Sequence, residues 1–341
     1  MPLNASSTTV GIAGIGTYFP SAIETSADLV AETGIPEAVL REKMGIRQRH
    51  LAGPEDSITH MATQAALKAI AQAGVSPQDI KLVISHGSEY KDHVVWNAAA
   101  KIQHNVGATN AYAFEMYALC AGAPIAMNAA RAMMLADPRL DTVLLAAASR
   151  ENDLVSLRNQ RARFMFNFGA GGGAMVLRRG AAENVILGAS AITDGSLSET
   201  VILTREPDAL GDGDEALGDL RGRLDVTNSE YMAERLGATS LDNFVRVIRE
   251  AVEQSGASLE DIAFMGITHM KRSFYLEILA AVGLTAEQSV YLEDYGHIQS
   301  VDQALAVELG LAQDKIKPGD LIVLAGAGTG YTWSAIAVRW G

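Results

Sequence analysis

Apolar residues recur at helical spacing in ATQAALKAIAQAG, residues 62–74, and again in LDNFVRVIREAVEQSG, residues 241–256. Each run is amphipathic, and each stops on glycine, which ends helices because it enters the left-handed region without a steric penalty. A short continuous apolar run follows each helix, KLVISH (81–86) and AFMGITH (263–269), and closes on a histidine, His86 or His269. Such runs predict buried strands. The linking nonapeptides, QAGVSPQDI and QSGASLEDI, share five of nine positions in one ungapped frame, at an offset of 182 residues from Gln72 to Gln254. Later in each copy a glycine-rich turn precedes an alternating strand that ends on arginine: FGAGGGAMVLR (168–178) and GAGTGYTWSAIAVR (326–339). Two matches in the same order predict a duplicated α/β architecture, with an N-terminal half over 1–180 and a C-terminal half over 181–341. A site is expected between the halves, where loops at strand ends converge.

One helix reads differently. IAMNAARAMMLAD, residues 125–137, is small or apolar almost all round, so it is expected to lie buried on most sides. Immediately before it stands YALCAGAP (117–124), which holds Cys120, the single cysteine of the 341 residues. A thiol at a helix N-terminus has free N–H groups and a favourable dipole beside it, which stabilise a thiolate or an oxyanion. His269 and His297, the latter in YGHIQS, are the candidate bases.

Composition narrows the field. A formal charge of −13 argues against nucleic-acid or anionic-membrane surfaces, which need clustered Lys and Arg. One cysteine forms no internal disulfide, which suits a reducing compartment. The opening MPLNASSTTVGIAGIG has no basic n-region, and no run approaches the roughly 18 uninterrupted apolar residues of a spanning helix, so a cytoplasmic protein is expected. GIAGIG is out of register with G-x-G-x-x-G, and no GK[ST] follows a glycine run, so nucleotide binding is not expected. The histidines show no HxxxH spacing, and no metal is expected. His50, His60, His93 and His104 read as surface or helix-end histidines, and His86 and Glu115 as structural. The acidic, glycine-punctuated stretch 208–225 reads as a solvated loop, or less favourably as a mobile cap.

Over nearly its whole length the chain resembles the thiolase superfamily, specifically its β-ketoacyl-acyl-carrier-protein synthase III branch. GIGTYFP with SADLVAETG is similar to the branch's first strand and loop, and MGIRQRH (44–50) to its Gly-Ile-Arg-x-Arg-His signature. YALCAGA resembles its nucleophile turn, FGAGGGAMVL the end of its first half, ITHMKRSF its His-Gln-Ala-Asn segment, and IKPGDLIVLAGAGTGYTW its final glycine-rich strand pair. The resemblance implies a thiolase-like fold of layered α-β-α-β-α arrangement. It also implies a homodimer, and an acyltransferase without a permanent cofactor that takes acyl-CoA or acyl-carrier-protein thioesters. Cys120 would be the acyl-accepting nucleophile, His269 the first catalytic histidine, and the backbone of Cys120 with the Gly328–Thr329–Gly330 turn the oxyanion hole. His297 occupies the position where the branch carries asparagine. Lys43 and Arg161 fall at or near its basic phosphate contacts, and Arg272, in HMKR, is a candidate substrate or pantetheine contact. Trp96 falls in the segment that crosses the dimer interface and lines the partner's acyl pocket, where it either packs in the core or lines that pocket. Val39 replaces the tryptophan that stacks on the CoA adenine, and HMKR replaces small polar residues after His269. These departures imply specialised metabolism. Three readings stay open: decarboxylative condensation with a malonyl-type thioester, acyl transfer to a hydroxyl or amine, and a non-catalytic partner subunit.

Overall fold

A computed structural model of the chain describes residues 8–87, 89–203 and 222–341. Most of the acidic stretch 208–225 therefore lies outside the described residues. In the first half the elements are β1 (Val10–Tyr18), β2 (Ala22–Thr25), α1 (Ser26–Thr33), β3 (Gln48–Leu51), α2 (Ile58–Ala73), β4 (Leu82–Ser85), α3 (Ala98–Val106), β5 (Tyr112–Glu115), α4 (Gly122–Ala136), β6 (Thr142–Ser149) and β7 (Gly171–Arg179). The second half follows with β8 (Val185–Thr193), β9 (Val201–Leu203), β10 (Leu224–Val226), α5 (Ser229–Glu253), β11 (Ile262–Ile267), α6 (Arg272–Ala281), α7 (Asp302–Ala312), β12 (Leu321–Gly328) and β13 (Thr332–Arg339).

The duplication is visible element by element. Helices α2 and α5 both run through a one-turn helix into a strand, β4 or β11. Ser76 and Asp79 in one copy, and Ser258 and Asp261 in the other, form the same reciprocal cap on that turn. The shared serine and aspartate of the nonapeptides thus satisfy backbone N–H groups that would otherwise lack partners. The main sheet has nine strands in the order β11-β12-β13-β8-β1-β7-β6-β4-β5. It is two half-sheets, joined where Gly11 of β1 pairs with Val185 of β8. The pairs β4/β5, β4/β6 and β11/β12 are parallel, and the other pairs of this sheet are antiparallel.

Helices α4 and α7 each touch strands of both half-sheets, whereas α2 and α3 cover the outer face of one and α5 and α6 the outer face of the other. This is the five-layered α-β-α-β-α arrangement of the thiolase fold. The central position of α4 explains its composition. With the turn before it, Leu119–Ala136 is long and apolar enough by length and composition to cross a membrane, yet its Ala126, Met127, Ala130 and Met134 fill the core between the half-sheets. Glycine in GIAGIG has a packing purpose. A Cβ at Gly16 would overlap the Ala65 carbonyl and lie 2.7 Å from Ala69 N, so glycine there lets α2 pack directly on β1.

One expectation fails here. His50 is not a surface or helix-end residue: it lies in β3, its Nδ1 is 2.6 Å from the Pro20 carbonyl, and its ring packs against Phe19 and Tyr295. The ring is part-buried between Phe19 and Tyr295, an aromatic contact across segments that the sequence pattern does not reveal. His60 stands in the first turn of α2, edge-on to Tyr18, while His93 and His104 are exposed.

Candidate active site

Cys120 lies in a one-turn helix, Leu119–Ala121, that leads directly into α4. Leu119 adopts a left-handed φ of +49°, which tightens the chain ahead of the thiol, and Cys120 itself is 4% exposed. The end of β12 closes on this turn from the other half. A Cβ on Gly328 would overlap the Ala118 carbonyl and lie 3.0 Å from the Cys120 N. Glycine is therefore required for that approach, and it brings the two stretches expected to form the oxyanion hole into contact. Thr329, at the same strand end, is part-buried.

The segment 297–302 supplies the polar groups that face the sulfur. The His297 backbone N–H donates to the Asn167 carbonyl at 2.7 Å, and the ring stands edge-on to Phe168. Its Nε2 is 2.9 Å from Cys120 Sγ, and its Nδ1 is 2.6 Å from Asp302 Oδ2. Asp302, fully buried, opens α7. Its Oδ1 accepts from the Ile298 N–H at 2.8 Å and its Oδ2 from the His269 N–H at 2.7 Å. The carboxylate can only accept, so Nδ1 of His297 carries a proton and Nε2 is the ring atom presented to sulfur. Burial works against a charged His297, but the Asp302 carboxylate and the charge on Cys120 outweigh it and hold the imidazole well above its ordinary range. Sulfur, imidazole and carboxylate thus form a continuous chain suited to activating a nucleophile. A second group also reaches the sulfur: Oε1 of Gln299, which accepts from the thiol at 2.7 Å.

His269 is set differently. Its Nε2 lies 3.0 Å from the Gly45 carbonyl, an acceptor, so Nε2 carries the proton. Its Nδ1 has no partner among the described residues. Burial lowers its pKa to about 4, so the ring is neutral at physiological pH. Tyr291 packs on it at 4.7 Å between ring centres. A Cβ on Gly45 would overlap the Tyr291 hydroxyl, and Gly45 has a φ of +74°, so glycine is needed twice over at this contact.

The structure brings Cys120 and His297 into direct contact and joins His269 to them through Asp302. The candidate binding residues have other surroundings. Arg161 pairs with the fully buried Asp225 at 2.7 Å, which gives its guanidinium a structural partner. Arg272 pairs with Glu293 and lies over the Tyr291 ring, which also packs on His269. Lys43 is exposed at the end of the turn Val39–Lys43, two residues before Gly45. Trp96 is part-buried and meets His93 edge-on. Glu115 holds Lys91 and the Ala98 N–H. His86 is buried and lowered to about 4 by burial, with Ser300 beside its Nδ1 at 3.2 Å. Asp302 and Gln299 escaped the sequence reading. An aspartate five residues after His297, in the first turn of a helix, is the signal that marks the former.

Residues 114–195 match the family described as 3-oxoacyl-[acyl-carrier-protein] synthase III, and residues 252–340 match its C-terminal region. The chain belongs to that family. The β-ketoacyl-[acyl-carrier-protein] synthase III of Microcystis aeruginosa is 27% identical over 99% of this chain and 100% of its own. That of Rickettsia rickettsii is 25% identical over 97% of this chain and all of its own. Among solved structures, the 3-oxoacyl-[acyl-carrier-protein] synthase III of Aquifex aeolicus superposes with a TM-score of 0.82 at 26% identity, covering 97% of this chain and 100% of that one. The priming β-ketosynthase of the R1128 polyketide pathway shares the fold, with a TM-score of 0.84 at 23% identity over 97% and 96% of the two chains. Membership of the synthase III family makes this chain an acyltransferase of the condensing type.

Proposed function

We propose that the protein loads an acyl group from an acyl-CoA or acyl-carrier-protein thioester onto Cys120 and condenses it with a malonyl-type thioester. The observation that carries this reading is the 2.9 Å contact of Cys120 Sγ with an imidazole that is itself anchored on a buried carboxylate. The thiolate attacks the thioester carbonyl, the donor thiolate leaves and takes its proton from solvent, His297 keeps both ring protons, and the acyl group remains on sulfur. The N–H of Cys120, with the backbone at Gly328–Thr329, faces the oxygen on which negative charge develops. Acylation removes the thiolate from Nε2 of His297, which is then free to donate to the carbonyl of the second thioester. His269, neutral and protonated on Nε2, offers a second donor once that N–H turns from the Gly45 carbonyl. Carbon dioxide departs, its bonding electrons form the enolate, the enolate carbon attacks the acyl carbonyl, and the Cys120 thiolate leaves.

A second reading, acyl transfer to a hydroxyl or amine, is favoured by one observation. The 2.6 Å bond from Nδ1 of His297 to Asp302 gives the imidazole the support of a general base, which a protic acceptor needs and a decarboxylating one does not. Carbon dioxide release separates the two. Acylated enzyme mixed with malonyl-CoA or malonyl carrier protein should release one carbon dioxide per acyl group lost, whereas transfer to an alcohol or amine without release would replace the first reading by the second. Retention of Cys120, His269 and His297 speaks against a non-catalytic subunit. His297 in place of asparagine, Val39 in place of tryptophan and the HMKR segment support a role in specialised metabolism. The functional unit we propose is a cytoplasmic homodimer, with an acyl carrier protein as macromolecular partner.

A further inference from the structure

The residue that the reading above leaves unused is Gln299. It is 4% exposed, it opens the one-turn helix Gln299–Val301, and its φ is +53°. A left-handed conformation is costly for a glutamine and persists where surrounding contacts impose it, which happens most often at functional sites. Here the conformation has a visible consequence: it directs the carboxamide to within 2.7 Å of Cys120 Sγ, its oxygen turned to the sulfur and accepting from the thiol. Three of the six residues from 297 to 302 therefore converge on one atom, His297 and Gln299 by contact and Asp302 through His297.

A half-turn of the carboxamide exchanges its oxygen and nitrogen, so the group accepts from S–H in one setting and donates to a thiolate in the other. The surroundings select the second setting. Nε2 of His297, 2.9 Å from Sγ and backed at Nδ1 by the Asp302 carboxylate, is placed to take the thiol proton, and once it has done so the negative charge lies on sulfur. An oxygen lone pair facing that charge is repelled, and an N–H is attracted. The titratable groups around the sulfur are His297 with Asp302 behind it, His269 on the other side of that carboxylate, and the Tyr331 phenol. Burial, and next the Cys120 charge, push that phenol above its ordinary range. None of the other three donates to the sulfur.

We propose that Gln299 is a further catalytic residue, a second hydrogen-bond donor to the Cys120 thiolate that increases the thiolate fraction available for acyl loading. The proposal rests on Cys120 as the nucleophile. A charge-assisted hydrogen bond is worth roughly a factor of ten in an equilibrium constant, or about one pH unit in a titration midpoint.

The test is a pH titration of thiolate absorbance and of the iodoacetamide alkylation rate, with Cys120→Ala subtracted; the single cysteine keeps both signals clean. Gln299→Asn tolerates the left-handed backbone but has too short an arm, Gln299→Leu keeps the bulk without the donor, and Gln299→Glu places a carboxylate against the sulfur. The Asn and Leu variants should move the midpoint up by about one pH unit and slow neutral-pH alkylation about tenfold, and Glu should move it further. Circular dichroism and melting of Gln299→Asn check that the fold survives. Variants that keep the wild-type profile, or that move it down because the carboxamide oxygen had been holding the thiol proton, would overturn the proposal. A wild-type thiol that forms no thiolate near neutrality would overturn the nucleophile reading and this proposal together, so the two failures are distinguishable.

Discussion

Replacing Asp302 by asparagine probes the site at its least exposed point. The carboxylate accepts three hydrogen bonds, from His297 Nδ1 at 2.6 Å, the Ile298 N–H at 2.8 Å and the His269 N–H at 2.7 Å. Asparagine fits the same space but has one acceptor and one donor end. Its NH2 must face either a backbone N–H or the imidazole, and facing the imidazole forces His297 to move its proton to Nε2. Either choice removes the negative charge that offsets burial and holds His297 above its ordinary range. The base then loses its orientation and its charged partner together, a combination that costs acyl-transfer enzymes of the Ser-His-Asp type on the order of 10⁴-fold in kcat. In a thiol enzyme the nucleophile is intrinsically easier to ionise, so a loss of about 10²–10³-fold in the acylation rate is expected. The assay is single-turnover release of free CoA or carrier thiol, read with a thiol reagent against Cys120→Ala, alongside a thermal melt. An Asp302→Asn protein that keeps its melting behaviour and acylates within threefold of wild type would refute the reasoning that couples Asp302 to sulfur through His297.

Three further outcomes follow from the same geometry. His86 and His269 are fully buried and lowered to about 4, below the ordinary value of 6.5, so the unfolded chain binds more protons than the folded one between these pH values. Stability should be full above about pH 7 and fall as pH drops from 6.5 towards 4, by up to about 3 kcal/mol per histidine, and chemical denaturation across that range measures it. Gly328→Ala sets a methyl against the Ala118 carbonyl and 3.0 Å from the Cys120 N, and should cost at least about 10²-fold in acylation with a modest change in melting. Arg161→Ala leaves the fully buried Asp225 with Asn159 at 2.6 Å in place of its ion pair, and should destabilise by about 1–3 kcal/mol with KM unchanged. A raised KM with unchanged stability would instead make Arg161 a substrate contact.

The duplicated fold is legible in the chain because each repeat carries its own local physics. Gly74 and Gly256 end the two helices, and serine and aspartate cap the same turn in both copies. The apolar run after Cys120 likewise announces the central helix, since a helix between two sheets has no face to keep polar. Cys120, the proposed nucleophile, and the two histidines are legible through their motifs. Asp302 and Gln299 are not, for two different reasons. Asp302 looks like an ordinary charge at a helix start until the turn Gln299–Val301 folds it back onto His297. Gln299 reaches sulfur only through a left-handed φ, which no spacing rule anticipates for a glutamine. Gly45 belongs with them: its carbonyl orients His269 from a segment 224 residues away. The position of Arg161 suggests a phosphate contact, and the buried aspartate that its guanidinium also pairs with lies 64 residues away, beyond the reach of any local pattern.

The most direct test of the account is intact-protein mass spectrometry of the full chain after incubation with a panel of acyl-CoAs and acyl carrier proteins, wild type beside Cys120→Ala. The account predicts a single adduct of acyl mass on the wild type, absent from the variant and discharged by the second substrate. An adduct that persists on Cys120→Ala, or none on the wild type from either class of donor, would contradict it.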